Sequence, residues 1–480
     1  MPDSKYLLLT HDEGEYTNLL MTDLKGSWPK VITPLVGRDQ SPQPSPDRKF
    51  VVFARRPLDD LDRMDIILTD LDDSYHKTLV GLPGVENLSP QWSPDGKQIA
   101  YISNRTNYFE IFLYDLESGN EQQLTNAGFD LADIAWSPDG TKLIFTVNRS
   151  GAFHLGMFSL ADFSFINLNT RNGFHARPRW LPDGKSITFE YDDPTQPADI
   201  YKINLETSQI GQLTFSTPPI FDHLSLCVPK NVSYTSLDGL EIPAFLYLPN
   251  QPNGAGIVYP HGGPTAQYAL EWDPWVQYMV AKGYALLAPN FRGSTGYGRD
   301  FQRANYGVWG VKDTEDCLAA ADFLGAIDYV NPERMGIFGA SYGGYLAICA
   351  LAFDPQQRFA CGVTKYGDCN LLTSWAECDR SGHEDLYRMM GHPADNLAAY
   401  RAGSPIWKVA DIQSPLLIFH GLQDPYVPPN QSEELVQALK HAGKTFEYRT
   451  YPDEGHGILL RRNQLDFYAR MERFLDWYLL

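Results

Sequence analysis

The sequence of 480 residues lacks any hydrophobic run long enough to cross a membrane, since no window approaches about 18 uninterrupted apolar residues. Its first residues, Met1–Lys5, show no basic stretch followed by an apolar run, so no secretory signal is predicted. These absences predict a cytoplasmic protein without a membrane partner. Hydrophobic residues still make up 43% of the chain, which is enough for large cores.

Cysteine is scarce, with six residues and no CxxC pair. Five of them lie in the C-terminal half, at Cys317, Cys349, Cys361, Cys369 and Cys378. This spacing indicates neither a disulfide framework nor a metal site, so free thiols in a reducing compartment are expected. No metal and no organic cofactor is predicted.

Positively charged residues are also few: the chain has 39 lysine and arginine residues and 59 aspartate and glutamate residues, which gives a formal net charge of −20. A nucleic acid or an anionic membrane would be repelled at long range. We therefore predict no nucleic-acid partner. The acidic surface by itself indicates solubility and identifies no cationic partner.

A turn motif recurs in the N-terminal half at intervals of about 45 residues. It reads Trp-Ser-Pro-Asp-Gly at Trp92–Gly96 and Trp136–Gly140, Trp-Leu-Pro-Asp-Gly at Trp180–Gly184, and degenerates at Pro44–Arg48. Proline presets φ, aspartate bonds to local backbone and glycine accepts positive φ, so each copy predicts a tight turn. A strand and a further hairpin follow each turn, which gives the content of a β-propeller blade.

Counting the second hairpins gives one unit more than counting the turns, so the first unit lacks its leading strand. The hairpins begin near Asn18, Asp65, Glu110, His154 and Asp199. We predict a propeller of about five blades over residues 1–226, in which a strand around Ile220–Leu226 completes the first blade. An open β-solenoid or a sandwich of the same hairpins is the alternative. The repeated tryptophans are predicted to fill the core between blades.

After Leu226 the pattern changes to apolar strands that alternate with helices, which indicates a mostly parallel sheet covered on both faces. Residues 227–480 are therefore predicted to form an α/β-hydrolase domain. The predicted strands include Gly256–Tyr259, Tyr284–Ala288, Met335–Phe338 and Pro415–His420, and the predicted helices include Asp313–Tyr329, Tyr342–Phe353 and an amphipathic one at Asn463–Leu480.

The predicted nucleophile is Ser341, within the G-x-S-x-G sequence Gly339–Gly343. These residues connect a predicted strand to a predicted helix, and a sharp turn there lifts the serine oxygen clear of the sheet. The amide groups and dipole of the following helix favour developing negative charge. This structural context makes the short motif specific.

A serine hydroxyl needs a base, and the base needs a group that orients it. Asp424 and His456 are the predicted acid and base, because they follow later strands in the order that this fold uses. The alternatives are a plain turn role for Asp424 and a helix-cap or core role for His456. His420 and His441 are poorer bases, since the first ends a buried strand and the second lies on a predicted helix.

The oxyanion hole is predicted to use the backbone amides of Tyr342, directly after the nucleophile, and Gly263. Gly263 belongs to His261–Pro264, which follows the strand Gly256–Tyr259. A simple glycine-rich turn is the alternative for this segment, and the amide of Gly262 is the next candidate donor.

The C-terminal half resembles the prolyl oligopeptidase family of serine peptidases over residues 230–480. The motifs that carry the resemblance are His261–Pro264, Asn290–Gly298, Gly339–Tyr345, Phe419–Asp424 and Tyr451–His456. The acylaminoacyl-peptidase and dipeptidyl-peptidase branches are the most similar. The resemblance implies hydrolysis of short peptides, with an N-terminal propeller that restricts the access of larger substrates. It also implies a pocket for the residue before the scissile bond, to which we assign Trp375, Glu377, Arg380 and Tyr387.

Two departures from the family pattern are visible. Family propellers have seven or eight blades, and no clear pair of glutamates is present to hold a free N-terminal amine. The predicted partner is a short peptide or acyl-peptide, and a homo-oligomer is allowed. The alternatives are a carboxylesterase or arylamidase, with the same triad, and an interaction protein that binds partners through its propeller.

Overall fold

The protein is described by a computed structural model over residues 5–72, 75–168 and 170–480. Strands dominate the N-terminal part, whereas strands and helices alternate in the C-terminal part. Within the described ranges, no helix is both long and apolar enough to cross a lipid bilayer.

The chain folds into two compact units. The first unit runs to Pro218 and also takes in Ala269–Glu271 and Gly296–Arg299, and the second unit holds the rest of the chain from Pro219 onward. The predicted domain boundary after Leu226 stays a prediction.

The first unit is built from strands that follow one another in chain order. They are β1 (Tyr6–Glu13), β2 (Tyr16–Asp23), β3 (Lys30–Val31), β4 (Gly37–Pro44), β5 (Phe50–Pro57), β6 (Asp65–Asp70), β7 (His76–Val80), β8 (Asn87–Trp92), β9 (Gln98–Thr106), β10 (Tyr108–Asp115), β11 (Glu121–Gln123), β12 (Leu131–Trp136), β13 (Lys142–Arg149), β14 (Ala152–Ser159), β15 (Ser164–Asn167), β16 (Phe174–Trp180), β17 (Ser186–Asp193), β18 (Gln196–Asn204) and β19 (Ile210–Gln212).

These strands form antiparallel blades of the predicted kind. β8–β11, β12–β15 and β16–β19 are separate four-stranded sheets, and β4–β7 pair in the same way. β1, β2 and β3 form a smaller three-stranded group, and one parallel residue pair, Thr17 with Arg38, joins it to β4. Four full blades and one three-stranded blade confirm the predicted all-β architecture of about five blades.

The repeated turns connect the first two strands of each full blade, and their tryptophans link neighbouring blades. The indole N–H of Trp92 donates to the carbonyl oxygen of Gln43 at 3.0 Å. Trp136 makes the same bond to Gln91 at 3.2 Å, and Trp180 bonds to the carbonyl of Ala135 at 3.2 Å. Each tryptophan therefore reaches the first strand of the preceding blade, in agreement with its predicted place between blades.

The predicted closing strand at Ile220–Leu226 is wrong. Pro219–His223 forms a 3-10 helix, and among the described residues no strand lies between β19 and the strand that begins at Lys230. Pro218 and Pro219 precede this segment, and proline has no N–H to donate to a β-ladder.

The second unit alternates strands and helices around one sheet. Its strands are β20 (Lys230–Thr235), β21 (Glu241–Tyr247), β22 (Gly256–Val258), β23 (Ala285–Pro289), β24 (Met335–Ala340), β25 (Cys361–Lys365), β26 (Leu416–Gly421) and β27 (Phe446–Tyr451). Its α-helices are α1 (Pro274–Ala281), α2 (Arg299–Gln302), α3 (Lys312–Gly325), α4 (Tyr342–Phe353), α5 (Leu371–Glu377), α6 (Arg380–Met390), α7 (Leu397–Ala402), α8 (Asn430–His441) and α9 (Arg461–Leu479). Short 3-10 helices lie at Arg303–Asn305 and Pro405–Asp411.

The eight strands of this sheet lie in the order β20-β21-β23-β22-β24-β25-β26-β27. The pairs from β23 to β27 are parallel, whereas β20 and β21 pair antiparallel at one edge. β24 and β26 are apolar and almost wholly buried, as expected for central strands of a parallel sheet. The doubly covered sheet confirms the predicted α/β-hydrolase architecture.

Candidate active site

Ser341 occupies a sharp turn between β24 and α4. Its φ of +56° lies in the left-handed region, which is rare outside glycine and concentrates at functional sites. A Cβ at Gly339 would collide with the backbone of Gly343, and a Cβ at Gly343 would collide with the carbonyl oxygen of Pro260. The Ser341 N–H donates to the carbonyl oxygen of Lys365 at 2.9 Å and fixes the turn. The glycines of the motif are therefore a steric requirement of this turn.

The structure brings Ser341, His456 and Asp424 into one chain of hydrogen bonds. His456 Nε2 lies 2.9 Å from Ser341 Oγ, and His456 Nδ1 lies 2.7 Å from Asp424 Oδ2. The Asp424 side chain is fully buried, and its Oδ1 accepts the amides of Tyr426 and Val427, each at 3.0 Å. These amides hold the carboxylate still, and the carboxylate in turn orients the imidazole.

The sheet explains why residues so distant in sequence meet. β24, β26 and β27 are parallel, so their carboxyl ends lie at one edge of the sheet. Ser341 follows β24 directly, Asp424 follows the end of β26 at Gly421, and His456 follows the end of β27 at Tyr451. A single sheet edge thus carries all three side chains.

His420 contacts the same aspartate but is held as a structural residue. Its Nδ1 lies 2.6 Å from Ser432 Oγ, its Nε2 lies 2.9 Å from the carbonyl oxygen of Val427, and Asp424 Oδ2 is 3.7 Å away. Burial lowers the pKa of His420, so the neutral imidazole is favoured. Because a carbonyl can only accept, His420 carries its proton on Nε2 and has no free nitrogen to act as a base.

A cavity of about 160 Å³ lies beside Ser341. Gly263 and Tyr342, the predicted sources of the oxyanion-hole amides, line it together with Ser341 and His456. The remaining lining residues are Trp309, Asp368, Ser374, Ser381, Gly382, Asp385, Leu386, Tyr426 and Val427.

His261 fixes the loop that carries Gly263. Its ring stacks on Phe291 with centroids 4.3 Å apart, and its Nε2 lies 2.8 Å from Ser294 Oγ. Its Nδ1 lies 2.7 Å from the carbonyl oxygen of Gly262. Burial lowers the pKa of His261 to about 4, so this imidazole is neutral near pH 7 and serves the loop as a fixed hydrogen-bonding partner.

Arg292 holds its own loop in place. Its guanidinium bonds to Asp316 at 2.7 Å and to Asp238 at 2.7 Å, and the Arg292 side chain is only 5% exposed. Asp316 also accepts the hydroxyl of Ser236 at 2.6 Å. This buried ion pair ties the loop to α3 and to the hairpin of β20 and β21.

Asp313 has a tertiary partner that the sequence does not reveal. Its side chain is buried, and it accepts a hydrogen bond from the hydroxyl of Tyr342, which lines the cavity. Burial raises the pKa of Asp313 to about 7, although the bond from Tyr342 acts in the opposite direction. Asp313 therefore positions the Tyr342 ring in addition to its place in the first turn of α3.

The raised pKa of Asp313 predicts a pH-dependent effect on stability. Between the unfolded pKa of about 4 and the folded pKa of about 7, the folded state binds more protons at Asp313 than the unfolded state does. This carboxyl therefore lowers the free energy of unfolding as the pH rises through that window. The free energy of unfolding of Asp313→Asn minus that of wild type is therefore expected to be more positive at pH 8 than at pH 5. Urea denaturation at both pH values measures this difference.

The matched control is Asp328→Asn, which changes an exposed carboxylate of the same unit. Its free-energy difference from wild type should be the same at both pH values. If the Asp313→Asn difference is equally independent of pH, the raised pKa of Asp313 is refuted.

The structure does not place the four predicted substrate-pocket side chains in the cavity beside Ser341. Trp375 lies among the rings of His383, Tyr387, His392 and Tyr400. Glu377 is exposed at the end of α5, Tyr387 is 48% exposed, and Arg380 is the first residue of α6. The same two helices instead present Ser374, Ser381, Gly382, Asp385 and Leu386 to the cavity. The role of Trp375, Glu377, Arg380 and Tyr387 in a substrate pocket stays a prediction.

Asp368 is a cavity residue that the sequence analysis missed. It lies just past β25, which ends at Lys365, and so belongs to the same sheet edge as Ser341. Tyr366, in the same loop, packs on the ring of His456 at 4.5 Å between centroids. A polar residue directly after a central parallel strand is the signal that would have identified Asp368.

A serine, a histidine and an aspartate are thus hydrogen-bonded in this order at the edge of an α/β sheet, which is the arrangement that serine hydrolases use to activate a hydroxyl. Residues 271–480 match the prolyl oligopeptidase family, and residues 59–220 match the TolB β-propeller domain. The prolyl oligopeptidase match covers the part of the chain that carries Ser341, Asp424 and His456.

Two individual proteins are also similar to this chain. The chain is 30% identical to dipeptidyl peptidase family member 6 of Caenorhabditis elegans over 60% of this chain and 42% of that protein. It is 32% identical to dipeptidyl aminopeptidase BIII of Pseudoxanthomonas mexicana over 59% of this chain and 43% of that protein. The chain therefore spans less than half the length of these relatives.

A solved structure shows the same fold. The puromycin-hydrolyzing peptidase of Mycobacterium tuberculosis superposes with a TM-score of 0.90 at 22% identity, over 99% of this chain and 76% of that one.

Proposed function

We propose that this chain is a serine peptidase that hydrolyses short peptides through Ser341, His456 and Asp424. The observation that carries the proposal is the pair of hydrogen bonds of His456, 2.9 Å to Ser341 Oγ and 2.7 Å to Asp424 Oδ2. A base within hydrogen-bonding reach of the nucleophile, itself oriented by a carboxylate, is the arrangement that activates a serine hydroxyl.

In the proposed reaction, His456 Nε2 takes the proton of Ser341 as the serine oxygen attacks the carbonyl carbon of the substrate. Asp424 stabilises the imidazolium that forms. The amides of Tyr342 and Gly263 donate to the oxyanion of the tetrahedral intermediate. His456 then protonates the leaving amine, and water releases the acyl group from Ser341 by the same steps in reverse.

The relatives support a peptide substrate rather than a simple ester. The names of the relatives include a dipeptidyl peptidase, a dipeptidyl aminopeptidase and, at 28% identity, an acylamino-acid-releasing enzyme of Arabidopsis thaliana. These names favour cleavage near the amino terminus of a short peptide. Restriction of substrate size by the propeller, a cytoplasmic location and a homo-oligomeric state stay predictions.

The test is a set of initial rates on 4-nitroanilides of N-acyl amino acids, 4-nitroanilides of free-amine dipeptides, and short acyl esters of 4-nitrophenol. At least one anilide class is expected to be hydrolysed with saturation kinetics, because a peptidase must expel an amine. The ratio of kcat/KM between acylated and free-amine anilides then selects the branch of the family.

Two outcomes would contradict the proposal. Turnover of the esters alone would indicate a carboxylesterase with the same triad. Failure of a fluorophosphonate to label Ser341 would show that the serine is not activated, and the interaction-protein interpretation would then replace the enzyme.

A further inference from the structure

The cavity beside Ser341 has apolar walls and an acidic interior. Trp309, Leu386 and Val427 supply buried apolar surface. Asp368 and Asp385 add two carboxyl groups, and Ser374 and Ser381 add two hydroxyl groups. This combination suits a side chain with an aliphatic stem and a positively charged end, because the stem can pack on the walls while the charge meets a carboxylate.

Asp368 has an unmet capacity to accept a hydrogen bond. Its Oδ1 is buried and has no hydrogen-bond partner within the described residues, whereas a hydrogen bond links its side chain to Ser374. A buried carboxylate oxygen without a donor is costly, and an apolar residue of similar size would avoid that cost. The unpaired Oδ1 of Asp368 is therefore explained if a bound ligand supplies the hydrogen-bond donor.

Among the described residues, no lysine or arginine forms an ion pair with this carboxylate. Lysine and arginine residues make ion pairs elsewhere, but within the described ranges none lies within 4.0 Å of Asp368. Burial raises the pKa of Asp368 to about 6, although the hydrogen bond from Ser374 and the nearby His456 act in the opposite direction. A positively charged ligand would supply both the missing donor and the missing charge.

We propose that this cavity binds the side chain of the residue before the scissile bond and that Asp368 makes it selective for lysine or arginine. The inference rests on the proposed function, since it assigns a substrate class to the same site. Ser341, which would attack the carbonyl of that residue, and Asp368 line one cavity. Asp368 is thus a specificity-determining residue, and it takes no part in the triad.

The experiment compares lysine with norleucine, which has nearly the same stem and no charge, in otherwise identical 4-nitroanilides. Wild type is expected to show a kcat/KM for the lysine substrate at least about 10-fold above that for norleucine, the usual size of a charge-assisted hydrogen bond. Asp368→Asn should lower the ratio of kcat/KM for lysine to kcat/KM for norleucine by about 10- to 100-fold.

Two variants serve as controls. Asp395→Asn removes an exposed carboxylate that does not line the cavity, so its lysine-to-norleucine ratio should equal that of wild type. Asp368→Glu keeps the charge and should retain most of the preference. A wild-type preference for norleucine, or a ratio that Asp368→Asn leaves unchanged, would overturn the proposal.

A second measurement needs neither a variant nor the cleavage of a peptide bond. Benzamidinium and the neutral benzamide are compared as protectors of Ser341 against fluorophosphonate labelling in wild type. Benzamidinium is expected to halve the labelling rate at a concentration at least about 10-fold lower. Equal protection refutes a cation-selective cavity, whereas an absence of labelling refutes the proposed function itself, so the two failures are distinguishable.

Discussion

Ser341→Ala is expected to lower kcat on the order of 10⁶-fold, because the variant has no oxygen to attack the carbonyl. The substrate is the anilide that wild type cleaves best. The contacts that bind substrate remain, so KM should change much less than kcat. Residual turnover above the uncatalysed rate would come from the oxyanion hole and from substrate positioning. Initial rates over a long time course measure kcat, KM and the residual turnover. The intact-protein mass after fluorophosphonate treatment shows whether the serine is labelled.

Ser225→Ala is the matched control, since Ser225 is an exposed serine of the same unit that does not line the cavity beside Ser341. It should keep wild-type activity and should still gain the mass of one phosphonyl group at Ser341. If Ser341→Ala hydrolyses the substrate at the wild-type rate, another residue is the nucleophile and the proposed mechanism is wrong.

Asp424→Asn is expected to lower kcat about 10⁴-fold, with little change in fold. An asparagine oxygen can still accept the amides of Tyr426 and Val427, which now bond to Oδ1 of Asp424. The amide NH₂ would then face Nδ1 of His456 and donate to it. His456 would carry its proton on Nε2, and that nitrogen could no longer accept the proton of Ser341.

The same rates on the same substrate measure this effect, and a thermal melt checks that the variant is folded. Asp411→Asn, which alters an exposed carboxylate that pairs with Lys408, controls for the loss of one negative charge. Activity of Asp424→Asn within about 10-fold of wild type would show that the tautomer of His456 is set by another group.

Much of the fold was predictable because local pattern and tertiary role agree. The helix predicted at Tyr342–Phe353 has these bounds in the structure, because an apolar run of 12 residues after the G-x-S-x-G turn is longer than a typical buried strand. The terminal helix was predicted at Asn463–Leu480 and is found at Arg461–Leu479, with its apolar stripe on the core. The prediction of a strand at Ile220–Leu226 was wrong. It assumed that a late strand completes the first blade, and it gave too little weight to the two adjacent prolines, which cannot donate a ladder hydrogen bond.

The site was predictable to the extent that it lies at strand ends. The sequence places Ser341, Asp424 and His456 after three strands of one sheet, and the structure brings their side chains together, while their catalytic roles stay predictions. The hydrogen bond from the hydroxyl of Tyr342 to Asp313 was not predictable, because the two residues lie on different helices and nothing in the local sequence indicates that they meet. The sequence does not show which side chains of α5 and α6 line the cavity, because the rotation of a short helix depends on its tertiary contacts. The assignment of Trp375, Glu377, Arg380 and Tyr387 to a substrate pocket stays a prediction.

The tryptophans of the turn motif also connect each blade of the first unit to the blade before it. Each full blade after β4–β7 bonds through one indole to the blade before it, so their stabilities are coupled pairwise, as in a linear array. The degenerate copy at Pro44–Arg48 has no tryptophan, and one parallel residue pair joins the three-stranded group to β4. Leu19 and Ile32 of this group pack in a buried apolar cluster with Val51, Phe53 and Ile67. This junction therefore depends on non-directional apolar packing, whereas the other blades are also joined by a directional indole hydrogen bond.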